Sequence, residues 1–320
     1  MTDAPTKPGV PDTVEKGESL WVGAWHRLRK NKMAIVGGIF ILLLAGLSFI
    51  GPFFLEGDYY TNTVLEDKLQ SPGGKYALGT DHLGRDQLGR IIKGGQISLM
   101  VGMVATLVSL TIGIGYGTVS GYFGGKVDSV MMRLVDILYS LPFAIFVILL
   151  MVFAKDLGDS IDAWFKARGS EFTISGQWNM LLLFVAIGAV EWLTMARIVR
   201  GQVLSLRRQE FIEACISLGL PTRRILFRHM VPNVLGPVIV YTTLTIPAVM
   251  LLEAFLSFLG LGVQPPTPSW GLLIKDGADR MREAWWMLVF PGTLFATTLF
   301  SFNFVGDGLR DALDPKTSKD

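Results

Sequence analysis

The side chains that could do chemistry in this chain are few and scattered. The three histidines lie on different segments, so no spacing typical of a metal site is present. The Gly-Gly-Lys sequence that ends at Lys126 lacks the leading glycine and the hydroxyl residue of a phosphate-binding P-loop. Asp81 and Asp86 form a pair of carboxylates, but no neighbouring residue completes an acid/base site. The sequence therefore predicts no catalytic residue, no metal and no cofactor on this polypeptide.

A different kind of chemistry is indicated by residues 197–233, a basic segment with a helical pattern between two long apolar runs. Apolar residues recur at helical spacing beside polar ones, namely Phe211, Ala214, Cys215 and Leu218 beside Glu210, Glu213 and Ser217. Gly219 and Pro221 are expected to end this short helix. A helix lying on lipid headgroups favours cations around it, whereas this one presents two glutamates. The pattern therefore favours a surface that touches a protein partner.

The composition places this helix in a membrane protein. Half of the 320 residues are hydrophobic and the mean hydropathy is +0.45. A bilayer core needs about 20 helical residues. Six apolar runs approach or exceed that length, at 33–55, 97–123, 134–154, 178–196, 234–263 and 285–306. Because backbone groups in lipid must be hydrogen-bonded internally, the runs are helices, and the predicted fold is all-α and polytopic, with about six transmembrane helices.

The distribution of lysine and arginine predicts the orientation. With both termini in the cytosol, 18 of the 29 basic residues lie inside, as the positive-inside rule requires. The predicted divisions are a cytosolic tail at 1–32, a first transmembrane helix at 33–55, an outer segment at 56–96, a five-helix core at 97–306 and a cytosolic tail at 307–320. The basic loop 197–233 is then cytosolic. Residues 1–19 are expected to be disordered, and 155–177 to form a long outer loop.

Several residues within the predicted spans suggest packing or movement. Glycines recur every four residues at 113, 117, 121 and 125, which predicts a helix face for close packing against another helix. Pro142, Pro247 and Pro291 interrupt spans three, five and six and are expected to bend them. These bends suit a pathway that opens and closes, but they are also common in membrane helices generally.

Two carboxylates at bilayer depth are candidate pathway residues, since charges there are costly and often functional. Glu191 lies five residues from the inner end of span four, where a role facing water is expected. Glu253 lies ten residues before the outer end of span five. It could face a pathway and meet a peptide ammonium group, or it could pair with a group on a partner subunit and serve the structure alone.

The basic segment resembles the EAA loop of ATP-binding-cassette importer permeases. The resemblance rests on Glu213-Ala214-Cys215, then Gly219, then His229-Met230-Val231-Pro232. Cys215 and His229 replace the usual Ala and Ile, which are modest changes that leave docking intact. Further segments resemble the C-type subunit of oligopeptide and dipeptide permeases, namely GTDHLGRD at 79–86, MARIVRGQ at 195–202, RHMVPNVLGP at 228–237, FLSFLGLG at 255–262 and FNFVGDGLRDALDPK at 302–316.

This resemblance implies a type I importer permease fold in the bacterial inner membrane. It implies a heterodimer with a homologous second permease, two cytosolic ATPase subunits that bind ATP and magnesium, an extracytoplasmic peptide-binding protein and a peptide substrate. The residues implied in ATPase coupling are Glu210, Phe211, Glu213, Ala214, Cys215, Leu218, Gly219 and Pro221. Oligopeptides, dipeptides, nickel chelates and murein peptides all remain open as cargo. The alternative is an ion-coupled secondary transporter or channel acting alone, for which only Glu253 is well placed.

Overall fold

The computed structural model describes residues 20–55, 57, 59–169 and 175–313. In this part of the chain the regular structure is helical, and strand-like pairing is limited to two isolated bridges. The predicted tail at 1–19, residues 314–320 of the other tail and residues 170–174 of the predicted outer loop lie outside the described residues. The described chain is therefore all-α, as predicted.

The described residues form eleven α-helices, with a long connection between α2 and α3. They are α1 (Leu20–Lys30), α2 (Lys32–Ile50), α3 (Gln87–Phe123), α4 (Gly125–Ser140), α5 (Phe143–Lys166), α6 (Ser175–Arg207), α7 (Glu210–Ser217), α8 (Thr222–Arg224), α9 (Val231–Phe258), α10 (Trp270–Asp279) and α11 (Trp286–Leu313). A π-helical turn, Ile225–Met230, joins α8 to α9 without a break, and short 3-10 turns occupy Gly51–Phe54 and Leu65–Asp67.

Four helices in the described residues are long and apolar enough to cross a membrane. They are Lys32–Phe54, Gln87–Phe123, Thr222–Phe258 and Trp286–Leu313, which coincide with predicted spans one, two, five and six. Predicted spans three and four fall on α4–α5 and on α6. The protein is thus a multi-pass membrane protein. The total of six spans and the cytosolic position of both termini stay predictions.

The prolines divide into one that breaks a helix and two that do not. At Pro142 the chain is extended from Leu141, so α4 and α5 are separate helices rather than one bent span. Pro247 and Pro291 lie inside continuous helices. α5 then continues to Lys166, so the prediction of an outer loop beginning at residue 155 is wrong for these residues.

The segment after α7 runs into the next membrane helix without a break, since Thr222 to Phe258 form one helical stretch. Pro232 lies in the first turn of α9, where its missing N–H and fixed φ are tolerated. A membrane-crossing helix therefore begins at the turn that directly follows α7 and α8.

The glycine face of α3 is confirmed at three positions. α3 and α6 make the most extensive helix contact in the described chain. A Cβ on Gly117 would lie 2.5 Å from the Ala196 carbonyl oxygen, and one on Gly121 would lie 2.9 Å from that of Arg200. A Cβ on Gly113 would lie 2.5 Å from Met195 Cγ, whereas one on Gly125, which lies beyond the end of α3, would have no atom within 4 Å. The backbones of α3 and α6 are thus in direct contact toward the α7 end of the bundle.

A buried cluster of charged side chains stabilises the end of the bundle that lies opposite α7. Asp81 is fully buried, and its Oδ2 accepts hydrogen bonds from Arg85 Nε at 2.7 Å and Arg90 Nη1 at 2.6 Å. Arg90 also reaches Asp276 of α10 at 3.4 Å. Burial acts to raise the pKa of Asp81, but the Arg90 charge and the backbone bond and charge of Arg85 outweigh it, so this pKa is lowered. The GTDHLGRD segment therefore fixes the chain before α3 to α3 and α10.

Candidate partner-docking surface at α7

α7 is a short helix between two tight connections. α6 ends at Arg207, and the Gln209 carbonyl accepts the first backbone bonds of α7, from Ile212 at 3.0 Å and Glu213 at 3.2 Å. Glu210 and Glu213 lie in the first turn, where the positive end of the helix dipole favours carboxylates. The two glutamates therefore support the start of the helix and also give it an acidic surface.

The end of α7 is a Schellman motif. The N–H of Leu220 donates to the Cys215 carbonyl at 3.1 Å, and the N–H of Gly219 donates to that of Ile216 at 3.0 Å. Gly219 has φ +70°, a conformation that residues with a Cβ rarely adopt. No atom lies within 4 Å of a Cβ placed there, so glycine is needed for the backbone alone. Pro221 then precedes α8 as its N-cap residue.

The side of α7 that faces its own chain is held by Ile212. This side chain is fully buried in a cluster with Val203 of α6 and Met230 of the π-helical turn. Cys215 is half-buried against the same cluster. Ile212 was not predicted as the inward-facing residue. The signal was its i, i+3 spacing to Cys215, but apolar residues cover a broad side of this eight-residue helix, so the pattern does not show which part of that side is buried.

The opposite side of α7 is open. Phe211 is 40% exposed, Leu218 is 78% exposed, and Ala214 lies between them at helical spacing and is exposed too. Glu210 and Glu213 are exposed beside them. The predicted apolar face is therefore the exposed one, with Cys215 turned inward. An exposed apolar row flanked by carboxylates suits a helix lying in an apolar groove with a basic or polar rim.

α6, the helix that leads into α7, is joined to α4 by an ion pair, and the same carboxylate also binds α3. Arg200 of α6 binds Asp128 of α4 in a bidentate pair, with Nε–Oδ1 at 2.5 Å and Nη2–Oδ2 at 2.6 Å. Ser120 of α3 donates a further bond to Asp128 at 2.5 Å. The hydrogen bonds from Arg200 are the main cause of a lowered pKa at Asp128. In the sequence, Arg200 contributes only to the predicted orientation in the membrane. The pair could not be predicted, because residues 72 apart in sequence give no local sign of pairing.

Glu191 borders a cavity of about 200 Å³ beside the α4–α5 break. The lining is mostly apolar and comes from α4, α5, α6 and α9, including Phe146 and Leu252. Its other polar groups are Tyr139 and Thr194, whose hydroxyl oxygens are 3.3 Å apart. The cavity therefore combines an apolar wall with one carboxylate and two hydroxyls.

Glu253 does not reach this cavity. It is fully buried, and its Oε1 accepts hydrogen bonds from Ser257 and Ser269, each at 2.7 Å. Ser269 is also the N-cap of α10, accepting a bond from the Leu272 N–H at 3.1 Å. Glu253 thus links the end of α9 to the start of α10, and the structure does not bring it together with Glu191.

The chain belongs to the family of inner membrane components of binding-protein-dependent transport systems, whose pattern it matches over residues 113–319. Residues 19–72 match a second pattern, the N-terminal transmembrane domain of oligopeptide transport permease C. Together with the relatives below, these matches confirm the resemblance to the C-type oligopeptide and dipeptide permeases.

Three relatives are similar over nearly the whole chain. The oligopeptide transport system permease protein OppC of Escherichia coli K12 is 49% identical, covering 94% of this chain and 93% of its own. The protein of the same name from Haemophilus influenzae is 44% identical, with 99% of each chain covered. The dipeptide transport system permease protein DppC of Bacillus subtilis is 42% identical, covering 92% of this chain and 85% of its own. The comparisons give no support to an ion-coupled transporter acting alone.

Proposed function

We propose that this chain is one permease subunit of an ATP-driven peptide importer in the bacterial inner membrane. It forms half of the pathway beside a homologous second permease. Two ATPase subunits on the cytosolic side bind ATP and magnesium, and an extracytoplasmic binding protein delivers the peptide. The observation that carries this proposal is the exposed face of α7, a helix packed through Ile212 against long membrane helices, whose outer side contacts no other part of the described residues.

The proposed coupling starts at the exposed side of α7. Phe211, Ala214 and Leu218 enter a groove on one ATPase subunit, and Glu210 and Glu213 meet its rim. Gly219 and Pro221 turn the chain out of the groove, while Cys215 faces back toward its own subunit. When ATP draws the two ATPases together, α7 moves with the ATPase that holds it.

The movement then passes into the membrane by direct contact. Ile212 is packed between α6 and the π-helical turn, so α7 cannot shift without displacing both. Arg200 and Asp128 join α6 to α4, and the glycine face joins it to α3. Helices α3, α4 and α6 therefore move as a unit, and the break at Pro142 lets the angle between α4 and α5 change. This motion exchanges the inward-open and outward-open arrangements of the pathway.

Of the two carboxylates at membrane depth, Glu191 is the proposed pathway residue. It borders the cavity at the α4–α5 break, where the proposed motion changes the width of the space. An apolar wall with one carboxylate suits a peptide segment that carries a cationic group. Glu253 is proposed to position α10, because its bonds to Ser257 and Ser269 hold that helix to α9.

The proposal is tested by the end of α7. Gly219→Val in the whole importer, reconstituted in liposomes, is expected to abolish coupled peptide uptake while ATP hydrolysis continues, because a β-branched residue at φ +70° unwinds the Schellman motif. Gly219→Asn should retain uptake, since asparagine tolerates this conformation. Gly201→Val is the matched control, as Gly201 lies on helical backbone with open space around it. Normal uptake with Gly219→Val would reject the proposed coupling role.

Contact with the ATPase is tested by crosslinking. Cys215 is the only cysteine, so Cys215→Ser provides a background without reactive thiols. Leu218→Cys in that background should crosslink to an ATPase subunit, whereas Leu65→Cys, exposed at the opposite end of the molecule, should not. An importer in which Leu218→Cys reaches no ATPase would contradict the proposal.

A further inference from the structure

A second charged surface follows α7 and has the opposite sign. Arg223, Arg224 and Arg228 are all exposed on α8 and the π-helical turn, and residues 221–233 contain no acidic side chain. Among the described residues none of these three arginines takes part in an ion pair, not even with the glutamates of nearby α7. Three unpaired cations within six residues point to an anionic ligand from outside the chain.

These arginines line a shallow surface depression, the arginine groove, which is wide open to the surroundings. It is lined by Pro221, Arg223, Arg224, Phe227, Arg228 and Pro232. Phe227 is 69% exposed in the middle of the three cations. The other side of the same turn is anchored, since Ile225, Leu226 and Met230 are buried in the cluster that also holds Ile212. The arginine groove therefore has a fixed backbone, and the turn under it is a π-helix, a form frequent at functional sites.

The groove lies at the first turns of a membrane-crossing helix. The helix from Thr222 to Phe258 is continuous and apolar, and all of its arginines are in its first seven residues. At about 1.5 Å per residue, Arg223 and Arg228 are separated by about 8 Å along the axis, which is comparable to the depth of a headgroup layer. An aromatic ring among arginines at this depth matches the chemistry of the interface, with phosphate outside and acyl chain beneath.

We propose that this arginine groove binds the phosphate of an anionic phospholipid in the cytosolic leaflet, with the Phe227 ring against its glycerol and acyl region. This inference rests on the proposed function for the side of the membrane and for the ATPase groove that accepts α7. The ATPase surface is disfavoured as the occupant of the arginine groove. The part of the ATPase that accepts α7 must complement Glu210 and Glu213 and is therefore basic. A basic surface would repel the three arginines, which lie directly beside α7. The bound lipid places the start of α9 at the surface of the leaflet.

The test counts lipid on the complete importer. The complex is assembled in nanodiscs of phosphatidylcholine with increasing phosphatidylglycerol, and the phosphatidylglycerol retained after purification is measured by mass spectrometry. Replacing Arg223, Arg224 and Arg228 by glutamine should weaken retention about fivefold per arginine. The triple lysine variant should keep part of it, because the charge remains without the planar guanidinium. A control variant removes three exposed cations outside the groove by Lys68→Gln, Arg208→Gln and Arg282→Gln and should bind lipid normally.

Three results would overturn the proposal. One is equal retention of phosphatidylglycerol by the glutamine variant and the parent. Another is loss of ATPase subunits from the glutamine variant with lipid unchanged, which would assign the arginines to a protein interface. The third is displacement of the lipid by inorganic phosphate in the buffer, which would assign them to a free anion. The measurement of bound lipid does not depend on transport. An importer that binds lipid but carries no peptide would therefore reject the proposed function and still support the lipid site.

Discussion

The ion pair between Arg200 and Asp128 is expected to carry force from α7 into the membrane helices. Asp128→Asn removes the charge and keeps the shape, so α6 and α4 stay in contact without their bidentate link. The importer should still assemble, because the glycine face of α3 continues to hold α6. We expect more ATP to be hydrolysed per peptide transported, since α6 can then move without α4.

The magnitude follows from the exposure of the pair. The Asp128 side chain is 13% exposed and that of Arg200 is 33% exposed, which places the pair between a surface ion pair and a buried one. Surface pairs contribute about 0.2–1 kcal/mol, and breaking a fully buried pair costs about 3–5 kcal/mol. We expect about 1–2 kcal/mol here, which changes the ratio of coupled to uncoupled arrangements by about 5–30-fold.

The assay measures peptide uptake and ATP hydrolysis together in liposomes that contain the whole importer. The matched control is Asp136→Asn, which breaks a neighbouring pair with Arg197 that has one contact at 2.8 Å and is 68% and 41% exposed. It should change the ratio of ATP to peptide little. Exchanging the charges by Asp128→Arg with Arg200→Asp should restore part of the coupling. Normal coupling in Asp128→Asn, or equal damage from Asp136→Asn, would refute the reasoning.

Three further predictions concern the buried carboxylates. Asp81→Asn removes the anion of the buried Arg85 and leaves the buried Arg90 only its longer contact to Asp276, so it should lower the free energy of unfolding by about 3–5 kcal/mol. Asp86→Asn keeps the N-cap of α3 and should change this free energy by less than about 0.5 kcal/mol. Equal melting temperatures of the two purified variants would contradict this. Because the pKa of Asp81 is lowered, its contribution is complete above the unfolded pKa of about 4 and is lost as pH falls through the folded value. Acid should therefore lower the melting temperature of the parent more than that of Asp81→Asn, and parallel pH profiles would exclude the effect. Glu253→Ala should lower the free energy of unfolding by about 1–3 kcal/mol and leave peptide preference unchanged. Glu191→Gln should leave stability unchanged and reduce uptake of cationic peptides. The opposite pattern would make Glu253 the pathway residue and Glu191 the structural one.

The membrane class and most helices could be predicted from local sequence. Long runs without charge must be helical in lipid, because no water is present to satisfy the backbone. The ends of α7 were predicted for a similar reason, since Gly219 allows a left-handed turn that depends on adjacent residues only. The break at Pro142 needed more than the proline, because Pro247 and Pro291 lie within unbroken helices. Whether a proline bends or divides a helix depends on what packs around it.

Tertiary packing decided which side of each helix is buried and which side chains bond to each other. Apolar residues cover a broad side of α7, so only the position of α6 shows that Ile212 is buried and that Phe211 and Leu218 are exposed. The structural role of Glu253 depends on α10, which folds back and brings Ser269 against it. These two residues are sixteen positions apart in the chain. Helical periodicity follows from near neighbours in sequence, whereas such contacts join residues that are close only after the helices have packed.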